Sequence, residues 1–234
     1  MRTMRQYYFL VCASVIFSLR GIEPILNYDF SEPVIRQGGK FKAPEFIGNV
    51  EIDPKQRCIQ IRPKNYLAIP DSASLSLLDG GTLYAVVYFD DDGSQDGAEG
   101  AHDMLFFKNK SFLMGKDRGK LYFNLGDGRK WKGGIRCEVP IRKWCAAAVS
   151  VTRENHRNKG FCTAKIYIDG NLKGKETWEI KGENNAEQVT FGRGWGGPWF
   201  MKGKVAEMRI YSAPLTAAEC QKISEASLLK LQKK

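Results

Sequence analysis

Ala164-Lys165-Ile166-Tyr167-Ile168-Asp169-Gly170-Asn171-Leu172 is the stretch on which the fold turns. Ala164, Ile166 and Ile168 alternate with Lys165 and Tyr167, the two-residue period of a strand with one face in a core. Asp169-Gly170 then supplies a dipeptide suited to the positive φ angles of a tight hairpin, and Asn171-Leu172 opens the return strand. Upstream, Leu83-Tyr84-Ala85-Val86-Val87-Tyr88-Phe89 is apolar at both parities, which predicts a central strand covered on both faces.

Working outward, short apolar runs recur from Ile25 onward, among them Leu26 to Phe30, Cys58 to Ile61, Met104 to Phe107, Leu121 to Leu125, Trp144 to Val151 and Val205 to Tyr211. Glycine- and asparagine-rich punctuation separates them, and no long amphipathic helix intervenes. This pattern predicts an all-β, antiparallel sandwich. One helix is predicted at the end, over Thr216 to about Leu231, because Thr216 stands three residues before Glu219 in capping-box spacing. Lys230, Lys233 and Lys234 put positive charge at the negative end of its dipole.

Five pieces fall in a characteristic order: Trp144 to Val151, Lys165 to Gly170, Val189 to Arg193, Lys202 to Tyr211, and Pro214 to Glu219. On these residues the chain resembles the laminin-G-like / concanavalin-A-like lectin and glucanase superfamily. They look like its Trp-started strand, its Leu-Tyr-Val-Asp-Gly hairpin, its Ile-Gly strand, its Gly-Lys-Ile-Asp-Glu-Val-Arg-Ile-Tyr strand and its Ala-Leu-Ser-x-x-Glu-Ile helix start. The resemblance implies a two-sheet jelly-roll sandwich that binds at its rim loops or concave face, with a short C-terminal helix. It implies no single function, since members include sugar-binding modules, adhesion domains and glycosidases. It also implies a structural ion near the Asp of Ile-Asp-Glu-Val, but Ala206 stands there and that site is not carried over.

Met1, Arg2 and Arg5 precede a mostly apolar run from Tyr7 to Leu19, too short for the roughly 20 residues that span a bilayer. Residues 1–21 therefore read as a secretory signal and 22–234 as one domain, with a secreted or extracellular location and no later membrane span. An uncleaved N-terminal anchor is the alternative reading. Export permits disulfides. Cys58, Cys137, Cys145, Cys162 and Cys220 leave an odd thiol whatever the pairing, and no spacing matches a zinc ribbon or a Cys-x-x-Cys redox site.

The formal net charge is +10, and Met104 to Lys175 holds 17 Lys or Arg against five Asp or Glu. That excess favours an anionic partner such as acidic polysaccharide, weighed against the plain need of exposed strands for soluble side chains. Nucleic acid is excluded by export and by the lack of an aromatic-basic recognition motif.

Catalysis finds little support. Glu51-Ile52-Asp53-Pro54-Lys55-Gln56 approaches the Glu-x-Asp-x-x-Glu of retaining glucanases but fails at its last position, and Pro54 is hostile to a central strand. His102 and His156 read as exposed loop residues, and no Gly-x-Ser-x-Gly elbow occurs. The chain is therefore expected not to be an enzyme.

Binding has two positive leads. Asp92, Ser94, Asp96 and Asp103 fall at positions 1, 3, 5 and 12 of a calcium loop with Gly97 at position 6, although no flanking helices are predicted; an ion-free solvated loop is the competing reading. Trp131, Trp195, Trp199 and Phe200 lie in glycine-rich surroundings where aromatic faces can stack on sugar rings, with Arg129, Lys130 and Arg193 nearby. The competing reading packs these tryptophans over one end of the sandwich. Trp144 and Trp178 read as strand or core residues, and Asn109-Lys110-Ser111 is a glycosylation sequon that matters only in a eukaryotic host.

The sequence thus predicts a non-catalytic binding or adhesion module for carbohydrate, with Trp131, Arg193, Trp195 and Trp199 as ligand-binding residues and calcium as the candidate ion. The alternatives are a divergent glycosidase or polysaccharide lyase acting on acidic glycans, and a structural domain with a cell-surface protein partner.

Overall fold

The computed structural model describes residues 23–30, 45–53, 55–72, 75–93, 102–156, 159–182, 184–195 and 199–232. The segment expected to be a signal lies outside the described residues. Among the described residues fifteen strands run β1 (Leu26–Asp29), β2 (Glu45–Ile47), β3 (Glu51–Asp53), β4 (Cys58–Ile61), β5 (Tyr66–Ile69), β6 (Gly81–Phe89), β7 (His102–Lys108) and β8 (Phe112–Asp117), then β9 (Lys120–Gly126), β10 (Trp131–Glu138), β11 (Trp144–His156), β12 (Lys159–Ile168), β13 (Asn171–Glu179), β14 (Val189–Phe191) and β15 (Gly203–Tyr211). One helix, α1 (Ala217–Gln232), closes the chain. Every pairing is antiparallel. An eight-stranded sheet has the order β13-β12-β11-β6-β15-β4-β3, with β1 also on β15, and a seven-stranded sheet has the order β10-β9-β8-β7-β14-β5-β2.

The main core lies between the sheets and draws on alternate residues of each: Leu83, Ala85, Val87 and Phe89 from β6 face Phe112, Met114, Leu121 and Phe123 from β8 and β9. Full burial of one such side chain stabilises by roughly 1.5–3 kcal/mol. The other parity of β6, Tyr84 and Val86, belongs to a second cluster with Ala146, Ala148, Tyr167, Leu215 and Cys220. That cluster explains why Leu83 to Phe89 is apolar at both parities: one face meets the opposite sheet and the other meets α1.

The helix starts as its capping box requires. The Thr216 amide donates to Glu219 Oε2 at 2.7 Å and the Glu219 amide donates to Thr216 Oγ1 at 3.3 Å. The hairpin of β12 and β13 turns at Asp169 (φ 52°) and Gly170 (φ 77°), and the Asp169 carboxylate accepts from the Ala146 amide at 2.9 Å. A Cβ on Gly170 would sit 2.5 Å from Gln221 Cα, because this hairpin tip abuts α1. Gly170→Ala therefore meets both a left-handed φ and the helix backbone, and it should destabilise by roughly 1–3 kcal/mol. Chemical denaturation checks this, expecting a lower midpoint at unchanged slope.

All five described cysteines are free thiols. Burial pushes the thiols of Cys58 and Cys137 up to about 11, so they behave as small apolar residues.

Candidate functional site: the outer face of the seven-stranded sheet

On the face turned away from the core, β7, β8 and β9 place Met104, Phe107, Leu113 and Tyr122, which form an apolar cluster of their own. The register aligns them: Phe107 pairs with Leu113, while Met104, Gly115, Tyr122 and Arg136 form one row across four strands. A Cβ on Gly115 would lie 3.2 Å from the Tyr122 hydroxyl, so the glycine gives the phenol room to lie across the sheet. An exposed apolar sheet face is costly unless covered.

The cover comes from two places. The chain leaving β14 doubles back: Arg193 and Phe200 form a bridge, and the Gly194 amide donates to the Trp199 carbonyl at 2.8 Å. This hairpin lays Trp195 and Trp199 on the cluster, and Trp131 joins them from the start of β10. Trp195 meets Phe107 at 4.8 Å, Trp199 at 5.3 Å and Trp131 at 5.8 Å between ring centroids, each time edge to face. Its indole Nε1 donates to Asn109 Oδ1 at 3.3 Å. All three indoles are half-buried: they pack on the sheet and still present surface to solvent.

His102 belongs to this face and not to an exposed loop. It opens β7, stacks on Trp199 at 4.0 Å between centroids and 16° between planes, and sets Nδ1 3.2 Å from the Tyr122 hydroxyl. Burial lowers its pKa, against the pull of Asp117, and Arg136 and Arg118 lower it further, which favours the neutral imidazole. Burial pushes the Tyr122 phenol upward and keeps it protonated. Arg136 lies over the Tyr122 ring at 5.5 Å and donates to Asp117 Oδ2 at 3.1 Å, which places an exposed guanidinium at the border of the aromatic surface. His156 is exposed, as expected, but it ends β11, paired with Lys159, and does not lie in a loop.

Of the predicted ligand residues, the structure gathers Trp131, Trp195 and Trp199. Arg193 starts the same hairpin but turns onto Tyr66, 4.8 Å above its ring, and donates to its hydroxyl at 2.7 Å. It braces the base of the hairpin. His102, Tyr122 and Arg136 went unnoticed in the sequence as partners of the tryptophans, because only the strand register brings them together.

Asp103, the last member of the calcium spacing, is buried on β7 and paired across to Lys116 of β8. Its Oδ2 lies 2.5 Å from Lys116 Nζ, and its Oδ1 accepts from the Lys202 amide at 2.7 Å. The same fully buried ammonium donates to the Asp91 carbonyl at 2.5 Å. Asp103 is thus engaged by an ammonium; Asp92 lies in the described part of the loop, and Ser94 and Asp96 lie outside the described residues. Among the described residues no three His, Cys, Asp or Glu side chains form a metal-holding group. The near-glucanase segment forms the edge strand β3, where Asp53 Oδ1 accepts from the amides of Lys55 and Gln56, each at 2.9 Å, and so caps a turn. Asn109 of the sequon lies in the β7–β8 turn and Ser111 is buried.

A laminin G-type family model, described as the concanavalin A-like lectin/glucanases superfamily, matches residues 63–221. The chain belongs to this superfamily. No curated protein matches it by sequence. Among solved structures, this superfamily member is similar to the receptor-binding domain of botulinum neurotoxin type G (TM-score 0.67, 13% identity, 87% of this chain and 51% of that one). It is also similar to the receptor-binding domain of the C/D mosaic serotype (TM-score 0.67, 12% identity, 88% and 52%) and to the binding domain of neurotoxin DC in complex with rat synaptotagmin II (TM-score 0.64, 12% identity, 87% and 51%). The chain spans about half the length of each, and at such identity the likeness is one of fold. It confirms the two-sheet sandwich. Among the described residues no helix is long and apolar enough to cross a membrane.

Proposed function

We propose that the chain is an exported, non-catalytic binding module that takes a carbohydrate on the aromatic face of its seven-stranded sheet. The observation that carries this is the convergence of three half-buried indoles with a stacked imidazole, bordered by Arg136. Pyranose rings present axial C–H groups that stack on indole faces while their hydroxyls bond to nearby polar tips, and His102 and Arg136 are such tips. The lectin-like superfamily and the receptor-binding role of the similar neurotoxin domains support a binding role. Against a glycosidase reading, Asp117, the carboxylate paired across from His102 on this face, is engaged by Arg136 and Arg118.

A cell-surface protein partner is the second reading, favoured by the synaptotagmin II complex of the similar neurotoxin DC domain. Calcium through Asp92, Ser94 and Asp96 remains an addition to either reading, tested by calorimetric titration after chelator treatment.

A glycan array with the purified chain should give selective binding. Trp195→Ala, which removes the indole at the centre of the cluster, should weaken the best glycan by more than tenfold, about 1.4 kcal/mol or more. A flat array with and without calcium overturns the carbohydrate reading, and selective capture of a surface protein would then favour the second.

A further inference from the structure

We infer that the aromatic face continues into a basic cleft, and that the two together take a polyanionic polysaccharide whose sulfate or carboxylate groups sit on Arg129, Lys130 and Lys181. This deepens the carbohydrate reading and rests on it. The cleft, about 830 Å³ and open to solvent, is lined among the described residues by Asp127, Arg129, Lys130, Lys181, Asn184 and Asn185.

Among the described residues its charge is positive for a structural reason. Asp127 is the acidic group of the β9–β10 turn, and its carboxylate is already spent: Oδ1 accepts from the amides of Arg129 and Lys130 at 3.0 and 2.8 Å, and Oδ2 pairs with Lys132 at 2.9 Å. Those three bonds outweigh the opposing effect of burial and hold the carboxyl at about 2, so it stays ionised and committed. The side chains of Arg129 and Lys130 are exposed, while Lys181 is 3.7 Å from Glu179, which Lys159 approaches more closely at 3.1 Å. A guanidinium and two ammonium groups around one opening suit oxyanions: the guanidinium forks onto two oxygens and the ammonium groups act as point charges.

The cleft is joined to the aromatic face by bonds. Asn185 Nδ2 donates to the Asn109 carbonyl at 2.6 Å, and the Asn109 side chain accepts from Trp195. Trp131, which packs on Trp195, follows Lys130 directly in the chain. Asn184 is fixed in turn by the fully buried Lys108, whose Nζ donates to its Oδ1 at 2.9 Å and pairs with Asp71 at 2.6 Å. Stacking surface and cations are therefore neighbours on one supported wall, the arrangement needed by a chain that alternates sugar faces with charged substituents.

The test is titration calorimetry at 0.15 M salt with dextran sulfate, polygalacturonate and uncharged dextran. Either anionic polymer should bind at least tenfold tighter than dextran, and the tighter of the two names the substituent. R129A/K130A/K181A should lose tenfold or more, whereas the remote, equally charged K143A/K175A/K222A should lose less than twofold. Equal losses in both triple variants, or dextran binding as tightly as the polyanions, overturns the cleft in favour of diffuse charge or none. Trp195→Ala separates this from the reading beneath it. Loss with Trp195→Ala but not with the cleft variant overturns the cleft and leaves the aromatic site. Loss with the cleft variant alone overturns sugar stacking and, with it, the continuity inferred here. Unchanged circular dichroism in each variant keeps the comparison one of binding.

Discussion

Lys116→Met is expected to cost about 3–5 kcal/mol of folding stability, the range found when one partner of a buried pair is removed. The methionine fills the aliphatic part of the lysine's volume but leaves Asp103, 2% exposed, with only the Lys202 amide for a partner. It also strips the Asp91 carbonyl of its donor and releases the chain after β6 from β8. For a chain of this size the loss reads as a fall in Tm of roughly ten degrees. Its pH dependence has a definite sign. Burial, only partly offset by Lys116, already lifts the Asp103 carboxyl to about 6, above its ordinary 3.8. A carboxyl raised in the folded state contributes stability that is full below 3.8 and is lost as pH rises through the folded value. Removing the ammonium lifts that value further, so the deficit of the variant should widen between pH 5 and 8. Replacing both partners with apolar residues, as in K116M/D103L, should recover most of the loss, because the uncompensated charge and not the missing bond dominates. A Tm within two degrees of the parent at pH 8 would show that the ammonium does not anchor this rim.

The same pair marks a limit of what the sequence discloses. Asp103 falls at the twelfth position of an acidic, oxygen-rich spacing, and nothing local distinguishes a ligand from a strand residue. What decides is the partner across the sheet, and the register shift between Met104 and Phe106 sets Asp103 opposite Lys116. Composition is equally silent about Lys108 and Lys116, two fully buried members of the basic excess. Local chemistry was legible wherever it completes itself over a few residues. The Asp169-Gly170 turn, the Thr216 to Glu219 box and the two-faced strand at Leu83 to Phe89 each appear as expected. At the candidate site, glycine-rich surroundings pointed to Trp131, Trp195 and Trp199, but the face needed His102 and Tyr122, whose place follows from the register of β7, β8 and β9 and from Trp199 packing on them. Arg193 was drawn in by proximity in the chain, and its guanidinium found Tyr66, 127 positions away.

Ending the chain at Ala213 should abolish soluble folding altogether, the larger of the two effects. The loss is not the helix's own hydrogen bonds, which contribute little net. It is the cover over the outer face of the eight-stranded sheet, where Tyr84, Val86, Ala146, Ala148, Tyr167 and Tyr211 are each no more than 3% exposed. A contiguous apolar face of roughly several hundred Å² drives association in a soluble protein. The truncated chain should therefore enter inclusion bodies or run as large oligomers on size exclusion, with strong binding of a hydrophobic dye. A milder form separates cover from anchorage. Glu207, 1% exposed on β15, accepts from Ser227 Oγ at 2.6 Å and Lys230 Nζ at 3.3 Å and pairs with Arg209, while Lys230 reaches on to Asp29 of β1 at 2.8 Å. Glu207→Ala keeps every apolar side chain of α1 but leaves the half-buried Arg209 without its carboxylate, so hydrogen exchange should quicken in β1 and the last two turns of α1 while its first turn, held by the capping box, stays protected. If exchange instead quickened evenly along the helix, the ion pairs would be holding the whole helix down and the apolar cover would be secondary.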